Sequence, residues 1–387
     1  MLPGEHSLPE EIVSPDGHVV NRLFSYLCEQ SDQAFARRLA EKFMNLQVLW
    51  FTNHRQQITC PRCEGTNLIR KGWRDRVLIS SRGRLSLKVL QSRCKVCGRT
   101  FRPFNDWAGI PSSRRFLEEF IDKAVALGAQ FSFSRSAQTL KLLTGGIISS
   151  EGIRRKVADV AKGIILPPPM PMQTVLVDAT KVKAGRKQRG EPVYLAVTAA
   201  RGPEKHGRPT CIKRLVHLHV GDAAPVKKRL QDIMPDYLVH DGGEDLADCA
   251  KHVQRCRWHL THQLKHYLWQ DRIPHDFRPA FQEAIRSILA DRKGGETRYK
   301  RFADNLMALG LKKTASHLQG AADEAFSFIK ERCFAYIDTS PLEREMRELN
   351  RRADIGARWS PKGLENVLKV LFHKRLKQQL KGYTQTR

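Results

Sequence analysis

Two pairs of cysteines, Cys60-Pro-Arg-Cys63 and Cys94-Lys-Val-Cys97, constrain this chain more tightly than any other feature. Each pair has the two-residue spacing that bends a backbone into a metal knuckle, and four thiolates suit one tetrahedral Zn²⁺. All four ligand positions are then taken, so the ion is structural and leaves no open position for chemistry. The 30 residues between Cys63 and Cys94 include strand-like alternation, as in Arg84-Leu-Ser-Leu-Lys-Val-Leu90. The expected product is a β-ribbon too small to fold without its ion. Nine cysteines, four of them in these pairs, fit a reducing compartment better than a disulfide framework.

The same segment is strongly basic. Between Cys60 and Arg102 there are 12 Lys+Arg against two acids, Glu64 and Asp75, with Trp73 and Phe101 among them. Arg70, Lys71, Arg74 and Arg76 are candidate phosphate contacts. The competing reading is a basic face that only keeps the module soluble. The whole chain carries 67 Lys+Arg against 40 Asp+Glu, a net charge of +27, which points to a polyanionic partner. Nucleic acid leads; an anionic membrane surface comes second. No apolar stretch approaches the ~18–20 residues of a membrane span, and Met-Leu-Pro-Gly-Glu-His lacks a signal-peptide layout. The expected location is the cytoplasm, in association with the nucleoid.

Residues 1–55 read as helical from Val19, Leu23, Tyr26 and Leu27 and from Phe35, Leu39 and Phe43. A zinc ribbon is expected over 56–108 and a helix-turn-helix domain over 109–166. In the latter, Ala137, Leu140 and Leu143 line one helical face, and Thr144-Gly145-Gly146 breaks the chain. Ser149 or Ser150 caps a second helix, and Ile153, Val157 and Val160 repeat the buried face. That leaves Arg154, Arg155 and Lys156 partly outward, as for docking in a major groove. A plain packing hairpin has the same layout. The segment Ile165-Leu-Pro-Pro-Pro-Met-Pro-Met172 reads as a linker.

Beyond it lie strand candidates Val175–Asp178, Pro192–Val197 and Leu215–Val220, a helix over Ala224–Ile233, and a fourth strand, Tyr237–His240. Three strands and then a strand-helix-strand unit predict a mixed sheet in an α/β domain over 173–375. A helical insertion is expected at about 272–335, and a basic tail at 376–387. Asp178 and Asp241 close two of the apolar runs, and Glu343 opens a basic helix. Carboxylates on adjacent strand ends can share a pair of hard cations, Mg²⁺ or Mn²⁺, in the two-metal pattern of phosphodiester chemistry. Each Asp taken alone also fits a turn or cap. Glu343 and Glu345 flank the buried stripe of Leu342, Met346 and Leu349 on opposite sides, so either is a candidate third ligand.

This arrangement resembles the DDE transposases of bacterial insertion sequences, and most of all their Mutator-like branch. Three local matches carry the likeness: Val177-Asp178-Ala-Thr180, Val253-Gln-Arg-Cys256-Arg-Trp-His259, and Thr339-Ser-Pro-Leu-Glu343. Arg358-Trp359-Ser360 is similar to the closing motif of such domains. The chain departs from the pattern at Ser340-Pro341, where an Asn is often seen.

The resemblance implies an RNase H-like catalytic domain and a catalytic set of Asp178, Asp241 and Glu343 holding two Mg²⁺ ions, with Glu343 favoured over Glu345. It also implies a positioning role for Cys256 and His259 near that pocket. Read from the residues alone, these two are a buried cysteine beside a satisfied histidine; a second zinc site using them is a further alternative. The activity implied is cleavage of double-stranded DNA at the element's terminal inverted repeats and strand transfer into target DNA, by a homo-oligomer. Residues 344–387, with 12 Lys+Arg against four acids, are expected to track DNA, with Arg358 in contact and Trp359 packing or stacking. The alternatives are a DNA-binding regulator with an inactive pocket and a metal-dependent nuclease without strand transfer.

Overall fold

The computed structural model describes residues 33–53, 58–110, 115–183, 190–205, 207–355 and 359–384. The expected helical positions Val19, Leu23, Tyr26 and Leu27 lie outside these, as does Arg358. The protein is mixed α/β and divides into two compact units, Met1–Lys156 and Val157–Arg387. That boundary falls inside the segment 109–166, and the segments 1–55 and 56–108 lie in one unit with most of it.

In the first unit, β1 (Leu68–Ser80) and β2 (Gly83–Cys94) form an antiparallel hairpin, and β3 (Thr100–Phe101) pairs with the outer end of β2. Alternation in β2 sends Leu85, Leu87 and Val89 to one face. There they meet Ala40, Phe43, Met44 and Val48 of α1 (Gln33–Asn53) and Phe104 of the short helix α2 (Pro103–Trp107). The cysteine hairpin therefore has an apolar core at its inner end as well as the cysteines at its outer end.

Three helices follow: α3 (Glu118–Gln130), α4 (Phe133–Thr144) and α5 (Ser150–Gly163). Ser132 caps α4, its Oγ accepting from the Arg135 amide. Gly145 ends it at φ 65, a left-handed conformation that favours glycine. Ser149, not Ser150, caps α5: its Oγ accepts from the Gly152 amide at 3.0 Å. The inward face of α4 is Ser136, Leu140 and Thr144; Leu143, expected on it, is 64% exposed. Buried Ser136 and Thr144 turn their hydroxyls onto the Ser132 and Leu140 carbonyls, which lets polar residues occupy the inner face.

The second unit is built on a five-stranded sheet of order β6-β5-β4-β7-β8. Its strands are β4 (Thr174–Val182), β5 (Glu191–Lys205), β6 (Arg208–Val220), β7 (Tyr237–His240) and β8 (His252–Arg255). The first three run antiparallel; β7 and β8 add in parallel to β4. One face packs Val175, Val177, Ala196, Val216 and Leu238 against Val226 and Leu230 of α6 (Ala224–Ile233). By alternation, Thr174, Leu176, Asp178 and Thr180 face the other way. On that side Thr180 meets Asn350 of α12 (Glu343–Ala353), and α13 (Pro361–Thr384) packs on β6. Helix α13 continues through the start of the segment expected as a separate tail.

Between the sheet and α12 the chain is helical: α7 (Arg257–Gln270), α8 (Arg278–Ala290), α9 (Gly295–Ala308), α10 (Lys312–Gln319) and α11 (Ser327–Lys330). They share a core of their own, in which Leu260, Leu264 and Leu268 of α7 pack on Ile285, Leu289, Tyr299, Leu306 and Leu318. No described helix is long and apolar enough to cross a membrane.

Candidate active site and nucleic-acid interface

The parallel ladder of β4 and β7 runs in register from Thr174 with Tyr237 to Val177 with His240. The next step in that register brings Asp178 beside Asp241, on strands about 4.8 Å apart. Asp178 sits in the middle of β4, not at its end as expected, because β4 continues to Val182 in its pairing with β5. What ends there is the pairing with β7, and both aspartates stand at that edge.

Asp178 is 7% exposed, Asp241 half-buried and Glu343 exposed. Burial raises the Asp178 carboxyl to about 7, and the charges of Asp241 and Glu343 push in the same direction. The Ala179 amide and the Thr339 hydroxyl oppose the rise by hydrogen-bonding the carboxylate. So three acids far apart in sequence bear on one point. Asp241 is steadied by its own turn, with Oδ1 accepting from the Gly243 amide at 3.0 Å. Gly242 between them has φ 87, a left-handed conformation that favours glycine, and the Arg255 guanidinium packs where a Cβ would stand.

Glu343 and Glu345 are now distinguishable. Glu345 is fully buried and lies 2.7 Å from the Lys213 ammonium, an ionic contact without hydrogen-bond geometry. Lys213 also donates to the Pro341 carbonyl at 2.8 Å, so it fixes the turn Ser340–Leu342 from which α12 starts. Glu343, two residues earlier on the other flank of the helix, is exposed, and its charge reaches Asp178.

Cys256 and His259 lie behind this turn. Cys256 is buried and caps α7, and its amide donates to the His240 carbonyl, next to Asp241. The Thr339 amide donates to the Cys256 sulfur at 3.3 Å, and the Thr339 hydroxyl lies 3.4 Å from the same sulfur. Nδ1 of His259 lies 3.2 Å from the same hydroxyl and 3.4 Å from the sulfur. Burial holds the His259 pKa below its usual value, against the pull of Asp241 and Glu343. One hydroxyl thus connects the start of α7, the approach to Glu343 and Asp178 itself. Lys213 and Thr339 were given no role in the sequence reading; Thr339 stood inside a quoted motif, while Lys213 offered no local signal.

The helical segment is tied to the same edge. Glu324 lies 3.1 Å from His240 Nε2 and 2.8 Å from Arg255 Nε. Arg255 in turn donates to the Gly242 carbonyl at 3.2 Å.

In the first unit, the sulfurs of Cys60, Cys63, Cys94 and Cys97 all lie within 4.8 Å of one another, the only such ligand cluster among the described residues. Two of the separations are 3.5 and 3.6 Å. A tetrahedron with Zn–S bonds of ~2.3 Å has edges of ~3.8 Å, so the cluster fits a zinc ion. Burial works against ionisation of Cys60, but the Arg62 and Cys63 amides and neighbouring thiols outweigh it and bring the thiol down to about 6. The carboxylates are spread more widely than the sulfurs. Two ions ~3.5–4 Å apart can be shared by acids at that wider spacing.

Of the expected DNA contacts, Arg70, Lys71 and Arg74 are exposed on β1, and Trp73 is 45% exposed beside them. Arg76 is not available: it points inward and is 8% exposed, because β1 turns from surface to core at that residue. Phe101 is buried too, against Cys60 and Cys94. On α5, Arg154 and Arg155 are exposed but both bind Glu151, at 2.6 and 2.8 Å, and Lys156 is half-buried. Trp359 takes the packing role, not the stacking one. It is 7% exposed, donates to the Ala353 carbonyl at 3.0 Å and carries the Arg352 guanidinium 4.7 Å from its ring centre. No protein-family model matches the chain, and no curated protein does.

Proposed function

We propose that the protein is a DNA transposase of the DDE type, with an RNase H-like catalytic domain preceded by a zinc ribbon and a helix-turn-helix. The observation that carries this reading is the pairing of Asp178 with Asp241 at the end of the parallel ladder, within reach of the Glu343 charge. The strand order, three antiparallel strands followed by two parallel ones, supports the fold assignment. The net charge of +27 supports a DNA substrate.

Asp178, Asp241 and Glu343 supply hard oxygen ligands, and the raised pKa of Asp178 marks an excess of negative charge that cations would relieve. Two Mg²⁺ or Mn²⁺ ions bound there would activate the attacking hydroxyl and stabilise the departing oxygen. The protein's own groups do the positioning. Lys213 and Glu345 lock the start of α12, so that Glu343 is presented at a fixed angle. Thr339, Cys256 and His259 hold the preceding turn against α7. Arg255 and Glu324 brace the Gly242 turn that carries Asp241. The reaction is in-line attack of water on the phosphodiester at the element's end, then of the freed 3′-hydroxyl on target DNA. Arg70, Lys71 and Arg74, with Arg154 and Arg155, hold the terminal repeats, and two copies of the chain at least bring two ends together.

The test uses supercoiled plasmid carrying the element's own ends. Nicking and joined products that require Mg²⁺ and disappear in Asp178→Asn are expected. Tight binding without nicking would replace the enzyme by a DNA-binding regulator. Cleavage without joined products would leave a nuclease.

A further inference from the structure

The helical segment returns to the site through residues 331–338, which form neither helix nor strand. One side of this return path walls a cavity of about 690 Å³, lined among others by Arg201, Arg292, Lys293, Arg332, Phe334 and Tyr336. A second cavity of about 270 Å³ shares Ile337 and Asp338 with the first and adds Arg257, Trp258 and Arg286. The two cavities adjoin at Ile337 and Asp338 and form a two-part trough. Asp338 is its only acid, against six cations. The residue after Asp338 is Thr339, whose hydroxyl lies 3.2 Å from His259 Nδ1 and whose side chain lowers the Asp178 pKa. The trough therefore ends where the candidate chemistry begins.

Two features select the occupant. Arg292, Lys293 and Arg332 form no ion pair with an acid among the described residues, so their charge is free for an external anion. The lining is also aromatic. Phe334 rests edge-on against Tyr237, at 4.9 Å between ring centres, and Tyr336 is half-buried. Trp258 is 46% exposed and stacks on His262 at 4.5 Å. A DNA duplex offers phosphates outward and keeps its bases stacked inside, so it has no use for rings lining a cavity. A single strand offers phosphates and base faces at once, the combination that basic grooves with aromatic platforms bind. The larger cavity is within the ~300–1,000 Å³ range that encloses a compact organic group.

We propose that this trough binds single-stranded DNA, the strand separated from the duplex next to the scissile phosphodiester. The proposal rests on the transposase reading for the origin of that strand, but its test does not depend on catalysis. A fluorescent oligonucleotide and its duplex are titrated onto the full chain, without divalent cations, over a range of salt. The double variant Arg292→Ala/Arg332→Ala is expected to bind the single strand about tenfold more weakly, with a salt slope reduced by about 1.4, at ~0.7 per phosphate contact. Duplex binding should change less than twofold. Photo-crosslinking of a 5-bromodeoxyuridine oligonucleotide to the unaltered protein should map to residues 328–338. Equal weakening for single strand and duplex, no weakening of either, or crosslinks confined to residues 60–102 would overturn the proposal. So would displacement of the oligonucleotide by a poly-glutamate peptide at equal charge concentration, which would mark a site for an acidic protein segment. Absence of nicking with selective single-strand loss intact would refute the transposase reading and leave the trough standing.

Discussion

Replacing Asp178 by Asn should stabilise the metal-free protein, and the size of the gain follows from the structure. Burial and the charges of Asp241 and Glu343 raise this carboxyl from 3.8 to about 7. The folded protein therefore holds the Asp178 proton across that interval while the unfolded chain releases it, so stability falls as pH rises from about 4 to 7. At about 1.36 kcal/mol per pH unit, ~3 units set an upper bound of about 4 kcal/mol above pH 7. At 7% exposure the side chain is little screened by solvent. Asparagine cannot ionise but still accepts from the Ala179 amide and Thr339, with loss of roughly 1 kcal/mol for the weaker neutral bonds. A net gain of at most about 3 kcal/mol is expected at pH 8 without divalent cations, shrinking to zero or below at pH 4. Mg²⁺ should cancel most of this gain by stabilising the unaltered protein, by about 2.7 kcal/mol at 100 times its dissociation constant. Urea unfolding at pH 4, 6 and 8, with and without Mg²⁺, measures all of this. A gain that does not vary with pH, or none at pH 8, would refute the idea that three acids crowd one point.

Lys213→Met should destabilise by roughly 3–5 kcal/mol by stranding buried Glu345, and Lys213→Met/Glu345→Met should recover most of it, read by denaturant midpoints. Thr339→Val should lower metal-dependent nicking at least tenfold while costing only about 1–2 kcal/mol of stability, with Thr339→Ser retaining activity. Elemental analysis should find one zinc per chain. Cys94→Ser should lose the zinc and expose residues 58–73 to protease, while Leu85 and Leu87 stay packed on α1.

Candidate site residues were marked locally in the sequence, and the long-range contacts around them were not. The four cysteines announce themselves by spacing, and the aspartates by the apolar runs before them. The Ser149 cap and the Gly145 stop are equally local. Strand lengths were not readable: β5 and β6 extend through Gly202-Pro203 and a run of Lys and Arg, residues that argue against a strand unless a long hairpin carries them past the sheet. Arg76 looked like its neighbours Arg70 and Arg74 because nothing in the sequence marks where a strand passes from solvent to core. The choice between Glu343 and Glu345 depended on Lys213, which is 132 residues from Glu345 and has no motif of its own.

The helical segment is more than an excursion between Asp241 and Glu343. Glu324 within it binds both His240 and Arg255, and Arg255 holds the Gly242 carbonyl. The Gly242 turn could not hold Asp241 in place alone, since a glycine pair leaves the backbone free. At the far end of the same segment, residues 331–338 run into Thr339 and the clamp on α12. The last part of one helical body thus braces the second aspartate through Glu324 and, a few residues later, leads into the turn from which the glutamate's helix starts. Loosening that body at Glu324 would shift Asp241 without touching it, whereas β4 would keep Asp178 where the sheet puts it.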